Sequence, residues 1–479
     1  MSTDPGRDRG RSRFRTIRRR RVRRLLVSSL LIVAAVAWRP DRALRTATGM
    51  AAHDLCSETF VAGIDPAKTW EASIVPRPGI AWLAWGLRHR VDRDRREAGA
   101  SFLGLVPSRA VFRPQWGCVL VHGDERIDDP PAMPATQAAP GIEGGVAMPA
   151  GLVAAPTPAL AAALDAAFAE TDAPPHRGTR AVVILHDGRL VAERYAAGEG
   201  IDTPMLGFSM TKSVTNALVG VLVRQGRLDV KAPAPIAAWR QAGDPRRAIT
   251  LERLMRMDSG LALDETGSGF DPSNQMFYDE PDMAANAASA RAIAPPGTRW
   301  AYSSASTHLV SRIVRDAVGG GGAAVQAFAA RELFAPLGMR HVTFEMDATG
   351  TPIGAHYLYA SARDWARFGQ LYLDDGVVGG RRLLPVGWAR WSSEPTLGTA
   401  YGAGWWTNRG DDEAAVHRRA VGIPADAFFA MGNLGQRISV IPSERLVVVR
   451  LARAHLRYGD AAGFERLVVD TLRALHPEP

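Results

Sequence analysis

Strand-like runs stand at both ends of residues 159–479, and that placement limits the fold more than any other feature of the chain. The segment AVVILHDGRLVAERY, residues 181–195, has two apolar runs flanking Asp187-Gly188. Such a dipeptide accepts the positive φ angles of a two-residue hairpin turn. Near the other end, DAFFAMG, QRISVI and RLVVVRLA are joined by Asn433-Leu434-Gly435 and Pro442-Ser443-Glu444, and a helical pattern follows from Gly463. Between these ends lie helical patterns such as SVTNALVGVLVRQG and ITLERLMRM, and Gly319 to Gly322 read as a helix stop. Strands this far apart in sequence bury their apolar faces only by meeting in space. The pattern predicts an α/β (α+β) fold: an antiparallel sheet flanked by helices, with an inserted, mostly helical subdomain.

The rest of the chain divides by charge and composition. The net charge of +9 is carried by residues 1–24, which hold eleven arginines and two aspartates, so everything from Leu25 onward sums to zero. A balanced body is not that of a nucleic-acid binder. The arginines run straight into LLVSSLLIVAAVAW, residues 25–38, whose 14 residues would span roughly 21 Å as a helix, short of a ~30 Å hydrocarbon core. A basic stretch before a short apolar run is the layout of a signal peptide or signal anchor. Residues 1–24 are then expected in the cytoplasm and the body in the periplasm or another extracytoplasmic space. Ala35-Val36-Ala37 offers a cleavage site, and uncleaved protein would stay on the inner membrane through residues 25–38.

Residues 39–127 contain the two cysteines of the chain, Cys56 and Cys118, and residues 128–158 are a Pro/Ala/Gly-rich linker or surface wrap. In an oxidising compartment the cysteines can pair, which on the chain-entropy model is worth about 4 kcal/mol. With no C-x-x-C and no close histidine pair, neither a metal nor a cofactor is expected.

The sharpest chemical signal is Gly207-Phe208-Ser209-Met210-Thr211-Lys212. A helix is expected to start here, with Val214, Leu218, Val219 and Leu222 on its apolar face and Gly226 ending it. Ser209 would then sit where free N–H groups favour developing negative charge, with Lys212 one turn on along the same face. A serine hydroxyl needs a base to take its proton, and a desolvated amine can serve. Of 58 basic residues only Lys68, Lys212 and Lys231 are lysines. Arginine cannot give up its proton, so a base site is one place where lysine would be kept. Three lysines and 23 serines predict roughly 0.1 S-x-x-K matches by chance.

A second motif, Pro295-Pro296-Gly297-Thr298-Arg299-Trp300-Ala301-Tyr302-Ser303-Ser304, reads as a turn delivering an extended segment with Tyr302 and Ser304 facing the same way. A phenol beside an ammonium can relay protons. In the third, Phe429 to Gln436, a strand ending in small residues at Gly432 would let substrate lie against backbone. A backbone N–H there would form half an oxyanion hole with that of Ser209.

In this order the three motifs resemble the serine β-lactamase and penicillin-binding-protein superfamily over roughly residues 156–475. The likeness is closest to class C β-lactamases, their esterase relatives and 6-aminohexanoate-dimer hydrolases. Ile249-Thr250-Leu251 through Met257-Asp258-Ser259-Gly260-Leu261, Tyr359 to Asp364 and Tyr401 to Trp406 support it. The resemblance implies Ser209 as acylated nucleophile, Lys212 as its base, Tyr302 as the group activating water or protonating the leaving group, and Ser209 and Asn433 as oxyanion amides. Ser304 and Gly432 are the expected substrate contacts, and Cys56 and Cys118 resemble those of periplasmic members. One departure is plain: Ala430-Met431-Gly432 stands where β-lactamases and D,D-peptidases carry K-T-G, and no E-x-x-L-N is present. The lysine that would meet a substrate carboxylate is missing, which moves the expected reaction toward hydrolysis of a small ester or amide.

Two rivals are weighed. An α/β-hydrolase elbow, G-x-S-x-G, fails at Thr211. A non-catalytic exported binding protein of the same fold is disfavoured by the intact Ser209, Lys212 and Tyr302 set.

Overall fold

The computed structural model describes residues 40–77, 79–123, 146, 148–266 and 271–476. The Arg-rich tail, the apolar run 25–38 and most of the 128–158 segment lie outside the described residues. Among those described, no helix is long and apolar enough to cross a membrane.

The chain opens with helix α1 (Pro40–Phe60), which buries Ala47, Ala51, Leu55 and Ala52, Cys56 at helical spacing. It packs on an antiparallel meander of β1 (Leu87–Asp92), β2 (Glu97–Phe102), β3 (Leu105–Arg113) and β4 (Gly117–Val121). Small inward residues, Ala98, Ala100 and Ala110, let the helix approach closely. Cys56 and Cys118 are bonded, with Cα atoms 6.0 Å apart, and tie α1 to β4.

The main sheet runs in the order β12 (Trp406–Thr407), β13 (Phe428–Gly432), β14 (Gln436–Ile441), β15 (Leu446–Ala452), β5 (Thr179–His186) and β6 (Arg189–Tyr195), antiparallel throughout. Its strands come from the two ends predicted. Asp187 and Gly188 close the β5–β6 hairpin at φ 49° and 71°, the left-handed geometry the sequence signalled. Along β5, Val182 and Ile184 bury beneath α2 (Pro158–Phe168) and the C-terminal helix α6 (Ala461–Leu475). Ala181, Val183 and Leu185 alternate to the other face, which helix α5 (Ala362–Leu373) covers. Burial on both faces is why these strands read as continuous apolar runs.

Between β6 and β12 lies the helical part, led by α3 (Thr211–Arg224) and α4 (Ser304–Ala317). A small sheet, β7 (Met205–Leu206), β9 (Leu358–Ala360) and β8 (Thr343–Phe344), connects it to the main body, and β10 (Val377–Val378) and β11 (Arg381–Arg382) form a separate hairpin. Residues 148–157 run along the body as a wrap: Arg363 donates to the Pro149 and Gly151 carbonyls, and Val153 pairs with the Glu193 backbone.

Some expected boundaries move. Ser304 is not in an extended segment but begins α4, with Ser303 as the cap accepting from the Ser306 amide at 3.1 Å. The final helix begins at Ala461, before Gly463, because Asp460 caps it. ITLERLMRM forms a helix only over Leu251–Met255, and Met257 turns to φ 63°. Gly319 and Gly320, at φ 128° and 80°, end α4, but Gly322 already opens the next helix.

Candidate active site

Ser209 sits in a single 3-10 turn, Phe208–Met210, between β7 and α3, one step short of the helix start expected. Two bonds fix the flanks of that turn to β9 and the residues leading into it: the Gly207 amide donates to Leu358 O at 2.8 Å, and Thr211 Oγ1 donates to His356 O at 3.2 Å. Phe208, immediately before the serine, is held at φ 47°. A bulky side chain in that region costs about 1–3 kcal/mol and persists only where its surroundings hold it.

Lys212 lies one helical turn on and is buried. Its Nζ stands 3.0 Å from each of three oxygens: Ser209 Oγ, Ser304 Oγ and the Ala355 carbonyl. Among the described residues no carboxylate pairs with it. Nζ donates to all three, so the amine is held directly against the Ser209 hydroxyl. Tyr302 presents the face of its ring to Lys212, with Nζ 4.8 Å from the centroid. Thus four of the residues predicted from sequence, Ser209, Lys212, Tyr302 and Ser304, converge on one point. Glu265 secures the last two: its Oε2 accepts from the Ser304 amide at 2.8 Å and its own amide donates to Tyr302 O at 3.2 Å.

The far wall is the end of β13. A Cβ on Gly432 would press into the Gly207 carbonyl and lie 3.1 Å from Phe208 Cβ, so only glycine lets this strand reach the serine's turn. Asn433 is exposed beyond it, and its Oδ1 accepts from the Leu434 amide at 2.9 Å within a tight turn where Leu434 takes φ 54°. Ala430 is buried and Met431 half-buried, so the strand offers no cation there. The neighbouring Arg437 is spent on backbone: it donates to the Gly432 and Gln436 carbonyls at 2.6 and 2.8 Å, and to Tyr458 O.

An aromatic wall, not foreseen as a unit, stands behind Tyr302. The phenol ring stacks on Trp406 at 5.6 Å and meets the edge of Tyr401 at 5.6 Å, and Trp300 joins at 6.5 Å. Burial, with Tyr302 and Glu265 alongside, pushes the Tyr401 hydroxyl well above its ordinary range. Three further residues escaped sequence reasoning. Ala355 contributes only a carbonyl, which no side-chain pattern reveals. Glu265 gave no motif. His356 is half-buried behind Phe208 with ring centroids 5.0 Å apart, and desolvation, then the charges of Lys212, Arg77 and His53, push its pKa well below 6.5.

Comparison with known proteins gives the family and the fold. The sequence profile of the beta-lactamase family matches residues 164–471. A 6-aminohexanoate-dimer hydrolase from Paenarthrobacter ureafaciens is 28% identical over 225 residues, 44% of this chain; the chain thus spans little more than half, 56%, of that relative. Two solved structures share the fold. A Bacillus anthracis protein designated a 6-aminohexanoate-dimer hydrolase superposes with TM-score 0.52 at 24% identity, over 63% of this chain and 81% of its own. A penicillin-binding-protein homologue from Caulobacter crescentus gives 0.52 at 18% identity, over 68% and 100%.

Proposed function

The chain belongs to the beta-lactamase family, and from that premise we propose that it hydrolyses a small ester or amide through an acyl-enzyme on Ser209. The observation that carries the proposal is the triple contact of Lys212 Nζ with Ser209 Oγ, Ser304 Oγ and Ala355 O. Ser304 Oγ and Ala355 O anchor the amine so that it stays within proton-transfer reach of the Ser209 hydroxyl. In acylation Ser209 Oγ attacks the substrate carbonyl while Lys212 takes its proton. The amides of Ser209 and Asn433 receive the developing oxyanion. The proton then passes by Tyr302 to the leaving group. In deacylation a water enters where that group left and attacks the acyl carbonyl while the same pair takes its proton; the bond to Ser209 Oγ then breaks, the proton returns to Oγ, and the acid product leaves.

Two features favour a neutral, partly apolar substrate over a β-lactam or a cell-wall peptide. Ala430-Met431 supplies no cation for a substrate carboxylate, and the adjacent Arg437 is occupied by backbone carbonyls. The wall of Trp300, Tyr302, Tyr401 and Trp406 suits apolar acyl or leaving groups. The basic-then-apolar N-terminus and the Cys56–Cys118 bond support an exported enzyme, tied to the inner membrane if residues 25–38 are retained.

The test is a substrate panel of p-nitrophenyl esters, short linear amides and nitrocefin, run on wild type and Ser209→Ala. Ester or amide turnover that vanishes in Ser209→Ala, with little hydrolysis of nitrocefin, is expected. Nitrocefin hydrolysis well above ester and amide turnover would favour the β-lactamase reading. Wild-type protein inert on every arm would favour the non-catalytic binder.

A further inference from the structure

The family match begins at residue 164, yet the described residues within 40–123 press against the back of the Ser209 turn. The contact is polar and buried. Arg77, which follows the short helices after α1, is nearly enclosed, and its guanidinium carbon lies 5.7 Å from the centre of the Phe208 ring. The guanidinium is itself held: Nη2 meets Asp54 Oδ2 of α1 at 2.5 Å, and Nε donates to Ser73 O at 3.0 Å. Asp54 also accepts from the Tyr357 hydroxyl at 2.8 Å. Tyr357 lies two residues beyond Ala355, whose carbonyl receives Lys212, and one before Leu358, whose carbonyl receives Gly207.

One α1 carboxylate therefore reaches both halves of the catalytic pair: the serine's turn through Arg77 and Phe208, and the lysine's carbonyl through Tyr357. Phe208 is the residue that needs holding, because its φ of 47° is unfavourable for a large side chain. His356 also meets this ring, edge to face, with centroids 5.0 Å apart.

We propose that Arg77 is a positioning residue for Ser209, acting by clamping Phe208 in its left-handed conformation, so that residues 40–123 form part of the catalytic unit. The proposal rests on Ser209 as nucleophile. Arginine suits the task because its flat guanidinium covers an aromatic ring while its edge pairs with a carboxylate, and lysine cannot do both.

The experiment measures second-order labelling by a fluorophosphonate probe, and kcat and KM for p-nitrophenyl butyrate, on full-length protein well below each variant's melting midpoint. Arg77→Met and Arg77→Lys are compared with Arg180→Met. Arg180 is as buried and lines the same small cavity, but it pairs with Glu199 at 2.6 Å. Both Arg77 variants should lose roughly 10–100-fold in labelling rate and kcat, with KM little changed. Arg180→Met should lose stability only. In a Phe208→Gly background, where no ring remains to be held, Arg77→Lys should cost nothing more. If Arg77→Met does not fold, Arg77→Lys carries the test, since it keeps the charge facing Asp54. An Arg77→Lys enzyme within twofold of wild type, or one whose loss persists undiminished in Phe208→Gly, overturns the proposal. Failure of the underlying reading looks different: wild type would not label, or Ser209→Ala still would.

Discussion

Replacing Lys212 by methionine separates the lysine's chemistry from its packing. Methionine fills most of the same space, so the cavity cost is small. What disappears is the nitrogen that stands 3.0 Å from three oxygens. Ser209 and Ser304 are hydroxyls that can rotate toward other partners, whereas the buried Ala355 carbonyl loses a donor outright. Leaving one buried acceptor unmet costs about 1–3 kcal/mol, so a modest fall in melting temperature is expected. The kinetic loss is far larger. General-base help is typically worth about 10²–10⁴-fold, and in the proposed mechanism both acylation and deacylation use this amine, so kcat/KM should fall by that order. The assay pairs p-nitrophenyl butyrate kinetics with thermal melts by circular dichroism. Lys231→Met, at an exposed site, is the matched control and should be silent in both. Arginine is the less clean substitution, because the enclosed site would have to accommodate a longer head group. A folded Lys212→Met enzyme that keeps more than about a tenth of wild-type kcat/KM would refute the reasoning.

Three further outcomes follow from the same geometry. Tyr302→Phe keeps the ring between Lys212 and Trp406 and should melt normally, yet lose about 10²-fold or more in kcat; unchanged kcat would remove the phenol from proton transfer. Gly432→Ala has an extended backbone that tolerates alanine, so any loss comes from its methyl pressing on the Gly207 carbonyl, and a drop of at least tenfold in the fluorophosphonate labelling rate is expected. Glu345, enclosed beside Cys118, Ser57 and the α1 carboxylates, is pushed well above 4.5 chiefly by burial. A raised carboxyl stays protonated in the fold while the unfolded chain ionises, so its stabilisation is present below about pH 4.5 and is lost as pH rises toward the folded value. Melting temperature should therefore fall less steeply with rising pH in Glu345→Gln than in wild type, and parallel curves would contradict that protonation state.

The parts of the site legible in the sequence were those carried by side-chain chemistry at short spacing. Ser209 and Lys212 are one helical turn apart, so their contact follows from local geometry once α3 is read. The Asp187-Gly188 hairpin was legible for a similar reason, since two adjacent residues must take positive φ. Tyr302 and Ser304 were placed together correctly but for an incomplete reason: they converge on Lys212 because Ser303 stops the extended segment and starts α4. What could not be read came from backbone atoms or from distant chain. Ala355 offers a carbonyl whose position depends on β9, and Glu265 acts through the amide of a residue 39 positions away. Arg77 meets Phe208 only because α1 and its disulfide-linked sheet dock behind the Ser209 turn. No periodicity within residues 39–127 announces that docking; it follows from tertiary packing.

The central claim, that Ser209 carries the acyl group, is tested most directly by mass. Wild-type protein quenched during turnover of a slowly hydrolysed ester, then digested, should show the acyl mass on the peptide containing Ser209 and lose it with time after substrate is exhausted. Ser209→Ala should show none. Acyl mass on any other serine, or a labelled Ser209→Ala, would contradict the account.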